Sequence, residues 1–315
     1  MISLVTGASG HVGSAVASEL VAQGQTVRTL ARDVRKIEPR LRATTDARTA
    51  GYEDYDALLE AMRGATQVFL VSLPGNVQDR VPYHSSAVRA AKEAKVKRIV
   101  YLSFLEGDET SPFHYGRENT ATEEIIRRSG VVYSFIRPNF YMQIALSLAI
   151  RSNGKIAAPA GAGKVAWVDR RDVAAVVTSV LLQSPQASGA HTVTGSQSLS
   201  FETIATILSQ KTGIAFRYDD EAPAAARASR IAQGIAEHEV DAAIGSYELM
   251  RLGGADLVTT TVEALTGRPP RSFEALVEEN SDAIRARFRA KVPLGLSADQ
   301  PPKAARTTCK SIEDR

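Results

Sequence analysis

The first thirteen residues constrain this chain more than any other stretch. Ile2-Ser3-Leu4-Val5-Thr6 reads as a short apolar strand, and Gly7-Ala8-Ser9-Gly10-His11-Val12-Gly13 reads as a turn with glycine at every third position, opening an amphipathic helix. In that order the glycines make a phosphate cradle: the one at 7 permits a tight strand exit, the one at 10 lets backbone approach a pyrophosphate, and the one at 13 lets the helix lie close on the sheet. The first N–H groups of the helix, with the positive end of its dipole, point to the same place. Thr6, Gly7, Ser9, Gly10, His11, Val12 and Gly13 are therefore the expected dinucleotide contacts. The His11 imidazole is expected to be neutral beside that helix end. A glycine turn alone can be structural; the flanking strand and helix favour the dinucleotide.

The end of the second strand bears on which dinucleotide. Val12, Val16 and Leu20 keep helical spacing as far as Gly24, and Thr26-Val27-Arg28-Thr29-Leu30-Ala31 follows as a strand. An acid at that strand end holds a ribose diol, whereas a base there meets a 2′-phosphate. Here Arg32 follows the strand, Lys36 lies one turn further, and no acid precedes Asp33. Arg32 and Lys36 thus favour NADP(H) over NAD(H), against the plain alternative of a solvated basic edge.

Strands and helices go on alternating. Helices are expected at Tyr55–Arg63, His84–Ala94 and Tyr115–Arg128, and strands at Gln67–Leu73, Arg98–Ser103 and Val131–Ile136. This is the pattern of an α/β fold, a Rossmann-like doubly wound parallel sheet, with ligands beyond the carboxyl ends of its strands. Ser72, Leu73, Pro74, Ser103, Phe104, Pro138 and Asn139 are expected to line the groove. Further on, Val173–Gln183 reads as a helix, His191-Thr192-Val193-Thr194 as a sheet strand, and Ser200 as the cap of a helix reaching Gln210. The expected organisation is an NADP-binding domain over residues 1–150, rejoined by segments near 165–195, and a smaller, mostly helical substrate lobe over residues 151–290. Helical Ala, Met and Leu spacing between Ala222 and Gly254 places the substrate-selecting surface there, although lobe core explains most of those positions equally.

Composition narrows the partners. Of the net charge of +3, the segment from Arg285 to Arg315 carries eight Lys/Arg against three acids, so the body before it sums to −2. Residues 291–315, rich in proline and small polar residues, are expected to be a disordered basic tail. No aromatic interleaving accompanies that charge, so a nucleic-acid partner is not expected. Nothing approaches the roughly 20 apolar residues of a membrane span, and the first strand begins at residue 2, so the expectation is a cytoplasmic protein with a small-molecule substrate. A homodimer is left open. Cys309 is the single cysteine and the histidines lack ligand spacing, so no metal is expected.

Thr6-Gly7-Ala8-Ser9-Gly10-His11-Val12-Gly13, Ala31-Arg32-Asp33, Ile136-Arg137-Pro138-Asn139-Phe140-Tyr141-Met142-Gln143 and Trp167-Val168-Asp169-Arg170-Arg171-Asp172-Val173-Ala174 together resemble the NmrA-like branch of the atypical short-chain dehydrogenases/reductases. Within that branch the chain is similar to bacterial quinone reductases and to reductases of azo and triphenylmethane dyes. The resemblance implies NADP(H) at the glycine turn, Arg32 and Lys36 toward the 2′-phosphate, and Pro138, Asn139 and Tyr141 near the nicotinamide.

The chain departs from ordinary short-chain dehydrogenases, whose Tyr-x-x-x-Lys pair shuttles a proton. None of its nine tyrosines has lysine four residues later; Tyr115 is followed by Asn119, where close relatives commonly carry His. The expected proton donors are Tyr141, His114 and Tyr115, with Tyr141 preferred and helix capping or packing as the plain alternatives. Glu123 is expected either to orient the groove or to pair on its helix face. The function so implied is NADPH-dependent hydride transfer to a quinone, enone, imine or azo acceptor. A non-catalytic NADP(H) sensor is the competing class, and an NADP-dependent isomerase or dehydratase ranks below both.

Overall fold

The computed structural model describes residues 1–73, 77–105, 110–151, 153–186 and 188–289. Strands β1 (Ile2–Val5), β2 (Thr26–Ala31), β3 (Asp46–Thr49), β4 (Gln67–Val71), β5 (Arg98–Leu102) and β6 (Val132–Pro138) alternate with helices α1 (His11–Ala22), α2 (Pro39–Thr44), α3 (Tyr55–Met62), α4 (Val77–Glu93) and α5 (His114–Ser129). Helix α6 (Met142–Arg151) and two short strands, β7 (Lys155–Ala158) and β8 (Lys164–Val165), precede α7 (Arg170–Leu182) and β9 (Gly189–Val193). The chain then forms β10 (Leu199–Ser200), α8 (Phe201–Thr212), β11 (Arg217–Asp220), α9 (Pro223–Ala232), α10 (Glu237–Arg251), α11 (Thr261–Thr266) and α12 (Phe273–Arg289). The expected tail, residues 291–315, lies outside the described residues, as does Pro74.

Seven strands form one sheet in the order β3-β2-β1-β4-β5-β6-β9, every pair parallel. Strand β5, Arg98-Ile99-Val100-Tyr101-Leu102, is buried at every residue, as a parallel strand covered on both faces must be. The order reverses between β1 and β4, which opens a crevice at their carboxyl ends. The sheet is broader than the sequence pattern indicates, because Asp46-Ala47-Arg48-Thr49 has no apolar run. Among the described residues it pairs only with β2, and Asp46 accepts from Arg28 and from Arg48, each at 2.7 Å.

Helices α1 and α7 cover one face through Val12, Val16, Leu20, Val173 and Val177, and α3, α4 and α5 cover the other through Leu58, Met62, Val88 and Ile126. A third cluster, including Phe113, Phe140, Trp167, Phe201, Leu208 and Phe273, gathers side chains from just after β5 onward. Each such buried side chain stabilises the fold by about 1.5–3 kcal/mol relative to exposure. At the amino end of the sheet Arg98 is fully buried and donates to the Val180 and Leu181 carbonyls in the last turn of α7, at 2.9 and 3.2 Å. Among the described residues no helix is long and apolar enough to cross a membrane.

Candidate active site

The turn after β1 lies at the point where the strand order reverses. Gly7 has φ +61°, and Thr6 N–H continues the β1–β4 ladder by donating to Phe69 O at 3.0 Å. A Cβ on Gly13 would stand 2.3 Å from Gly7 O, so only glycine lets α1 start this close to the strand. A Cβ on Gly10 would meet nothing nearer than Gly7 O at 3.3 Å. Protein packing thus accounts for the first and third glycines, and the middle one faces outward between exposed Ser9 and exposed His11. Gly10 is also the N-cap and brings no side chain to the first N–H groups of α1, which suits an anionic ligand.

Thr6, Ala8 and Val12 lie beneath this rim and are buried. The Thr6 hydroxyl accepts from Val71 N–H at 2.9 Å and lies 2.5 Å from the Tyr52 hydroxyl, which donates to Val71 O at 2.9 Å. The triad ties the turn to the end of β4.

At the end of β2, Arg32 and Lys36 are exposed and form no ion pair among the described residues. Asp33 caps the short 3₁₀ turn Val34–Lys36, and its carboxylate accepts from the Arg35 backbone at 3.0 Å and the Arg35 guanidinium at 2.9 and 3.0 Å. These hydrogen bonds from Arg35 hold the Asp33 carboxyl down at about 2. The acid nearest the strand end is therefore matched by its own arginine, and two cations remain for a ligand.

The end of β4 is held by two side chains that the sequence reading does not place in the site. Leu73 N–H donates to His84 Nε2 at 3.0 Å, so the hydrogen of the imidazole sits on Nδ1 and is given to Thr122 Oγ1 at 2.9 Å. Burial, with the nearby Arg80 charge, pushes His84 down to about 3 and keeps it neutral. Leu73 O accepts from Arg80 Nε at 2.6 Å. Arg80 also pairs with Glu118, donates to Asn119 Oδ1 at 3.2 Å, and stacks over Tyr115. Tyr101 gives its hydroxyl hydrogen to the same Asn119 oxygen at 2.8 Å. Arg80 escapes a reading that opens the helix after Pro82; α4 begins at Val77 with Pro82 inside it. The usable signal is spacing, since Arg80 and His84 share one helix face and both reach Leu73.

At the ends of β5 and β6 several expected lining residues turn inward. Ser103 donates to Glu123 at 2.7 Å, and Arg137 meets both Glu123 oxygens at 2.9 and 2.6 Å, with Arg127 at 3.0 Å. Glu123 is 2% exposed, so it braces α5 on the sheet from beneath the groove. Asn139, 1% exposed, donates to Ala255 O at 2.8 Å and accepts from Phe140 N–H, so its amide is turned inward. Pro138 is buried beside it, whereas Ser72, Leu73 and Phe104 are half-exposed. Phe104 packs edge-on against Phe113 and Phe140, at 5.0 and 4.9 Å between centroids, forming an apolar wall.

The three candidate proton donors are not equivalent. Tyr141 is half-buried against the α1–α7 cluster, burial pushes it up to about 12, and the Arg170 cation stands 5.8 Å from its ring centre. His114 is buried, its pKa lowered by burial first and by Arg117 and Arg80 after it. Tyr115 is half-exposed beside the aromatic cluster, with Arg80 4.4 Å from its ring centre. No group of three or more His, Cys, Asp or Glu among the described residues is placed to hold a metal ion. A surface depression of ≈ 310 Å³ lined by Glu19, Gln23, Thr178 and Arg268 lies by the carboxyl end of α1, away from these residues.

A parallel sheet in this order, with a glycine turn at the reversal, defines a Rossmann-type dinucleotide fold. Residues 2–244 match the NmrA-like family, and the chain belongs to it. It is 31% identical over 285 residues to an NAD(P)H azoreductase of Xenophilus azovorans, covering 90% of this chain and 99% of that protein. It is 34% identical over 284 residues to a (4-alkanoyl-5-oxo-2,5-dihydrofuran-3-yl)methyl phosphate reductase of Streptomyces griseus subsp. griseus, covering 89% and 98%. Among solved structures it is similar to an NADPH-dependent quinone oxidoreductase from Escherichia coli in complex with NADPH, with TM-score 0.80, 27% identity, and 89% and 99% of the two chains covered.

Proposed function

We propose that this protein is an NADPH-dependent oxidoreductase that reduces a small electron-poor acceptor of quinone, enone, imine or azo type. The observation that carries the cofactor half is the glycine-opened start of α1, with no side-chain cap, near two cations at the end of β2 that form no ion pair among the described residues. Ser9, Gly10, His11 and the first N–H groups of α1 hold the pyrophosphate, and Arg32 and Lys36 hold the 2′-phosphate. Thr6, Gly7, Val12 and Gly13 shape that turn from below. Ser72 and Leu73 form the wall at the end of β4, with Ser103, Glu123, Pro138 and Asn139 bracing the floor.

When bound, NADPH supplies the hydride. The chain's own part is to place the acceptor against the apolar wall of Phe104 and Phe140, to exclude water there, and to deliver a proton. The likeness to an azoreductase, a furanone phosphate reductase and a quinone oxidoreductase supports the acceptor class. Residues 1–150, rejoined near 165–195, form the cofactor domain, and residues 151–290 form the acceptor lobe.

The test is steady-state NADPH oxidation against quinones, enones, imines and azo dyes. Turnover above the enzyme-free rate with one acceptor class supports the reading. No acceleration across the panel, with tight NADPH binding retained, moves the protein to the sensor class, which the uncharged Asn119 four residues after Tyr115 fits equally well.

A further inference from the structure

Arg80 is a buried cation whose surroundings exceed what a structural tie requires. Its side chain is 5% exposed and arrives from α4, yet its contacts are the end of β4 and one face of α5: Leu73 O, Glu118, Asn119 Oδ1 and the ring of Tyr115. A second observation marks the same place. His114 Nε2 and Glu118 Oε1, four residues apart on α5 and flanking Tyr115, are buried without a hydrogen-bond partner among the described residues. Buried polar atoms are nearly always satisfied, so two orphans beside one half-exposed phenol indicate a site that a ligand completes.

We propose that Tyr115 gives the proton the reduced acceptor needs, and that Arg80 is its positioning residue, seating the ring and stabilising the phenolate left behind. This rests on the reductase reading above. Hydride arrival adds an electron pair and leaves the acceptor heteroatom anionic. That atom takes the Tyr115 Oη proton; the phenol O–H bond breaks, a new O–H or N–H bond forms, and solvent reprotonates the phenolate. Asn119, four residues along α5, is uncharged, so the cation comes from a different helix. Facing Tyr115 are Arg80 from α4, His114 and Glu118 from α5, and Glu239 from α10. Burial raises the Tyr115 pKa, Arg80 opposes that rise, and Glu118 and Glu239 add to it.

The test uses the full chain. Tyrosine NMR on carbon-labelled apo-protein, with the Tyr115 signal assigned through Tyr115→Phe, follows its titration in the wild type and in Arg80→Met and Arg80→Lys. The expected result is a Tyr115 titration about one pH unit higher in Arg80→Met, with partial return in Arg80→Lys. If Arg80→Met fails to fold because Glu118 is stranded, Arg80→Met combined with Glu118→Gln is compared with Glu118→Gln alone, so that only the loss of the Arg80 charge is read. In single turnover, Tyr115→Phe should lose about 10²–10⁴-fold with an acceptor that requires protonation while keeping its NADPH affinity. An unmoved titration in the Arg80 variants, or full turnover in Tyr115→Phe, overturns the assignment. So does transfer of the pH dependence and the rate loss to Tyr141→Phe. Wild-type silence toward every acceptor would defeat the reductase reading instead, and the apo titration still decides whether Arg80 governs Tyr115.

Discussion

In the proposed site cofactor choice turns on Asp33, because a carboxylate beside the end of β2 repels a 2′-phosphate unless something neutralises it. Arg35 does so through three hydrogen bonds, leaving Arg32 and Lys36 to the ligand. Arg32→Ala should weaken NADPH binding by about 1.5–3 kcal/mol, the scale of a charge-assisted hydrogen bond, and leave NADH almost unaffected. Arg35→Ala should also penalise NADPH more than NADH, since it frees Asp33. Calorimetry with both cofactors checks the pair, and equal losses for NADPH and NADH would remove the assignment. His84 makes a different prediction. Its pKa is about 3 when folded against 6.5 ordinarily, so the unfolded chain takes up the proton first as the pH falls. The stability it contributes is complete above about pH 6.5 and drains away between there and about pH 3. His84→Gln reproduces an acceptor for Leu73 N–H and a donor for Thr122 without titrating. Denaturant unfolding across that window should show a shallower acid loss in the variant, and identical slopes would mean that His84 is not held neutral.

At the scale of elements, the glycine turn separates packing from binding. Gly13→Ala puts a methyl 2.3 Å from Gly7 O, so either α1 or the turn must move, at a cost of about 1–3 kcal/mol. Gly10→Val projects outward and should leave the thermal midpoint of the apo-protein near wild type while abolishing NADPH binding. Thermal scans with and without NADPH distinguish the two, and near-normal affinity in Gly10→Val would contradict the proposed pyrophosphate path. Elements with a strong apolar period were legible: β2 spans Thr26–Ala31 as expected, and α8 is capped by Ser200 and closed by Gly213 in the left-handed conformation. Those whose pairing partner supplies the stability were not. β3 has three polar residues in four and exists because β2 lends it an edge. The first turn of α4 hides behind Pro82, and with it went Arg80. The inward turn of Asn139 and Glu123 was equally hidden, because their partners Ala255 and Arg137 are fixed by tertiary packing, 116 and 14 residues away.

Across the whole molecule, the aromatic cluster that begins at the strand ends must stay in register with the sheet for an acceptor to meet the cofactor. One connection is Asp172 on α7, whose fully buried carboxylate accepts from Arg268 at 2.9 Å, from Arg271 N–H at 2.7 Å and from the Arg271 guanidinium. That contact pins the segment between α11 and α12, and α12 in turn packs on α8 and α6. Both arginines remain partly exposed, so removing the carboxylate leaves their charges in reach of water and the loss is that of charged hydrogen bonds rather than of stranded buried ions. Asp172→Asn should therefore cost about 1.5–3 kcal/mol in denaturant unfolding. Its functional effect should be unequal. The glycine turn and the basic end of β2 make none of these contacts, so NADPH affinity should hold, whereas the acceptor KM should rise as the helices beyond the sheet lose their anchor. A parallel drop in NADPH affinity would show instead that α7 transmits the strain to α1, with which it shares the buried Val12, Val16 and Val173 cluster, and that cofactor and acceptor sites are set by one packed unit.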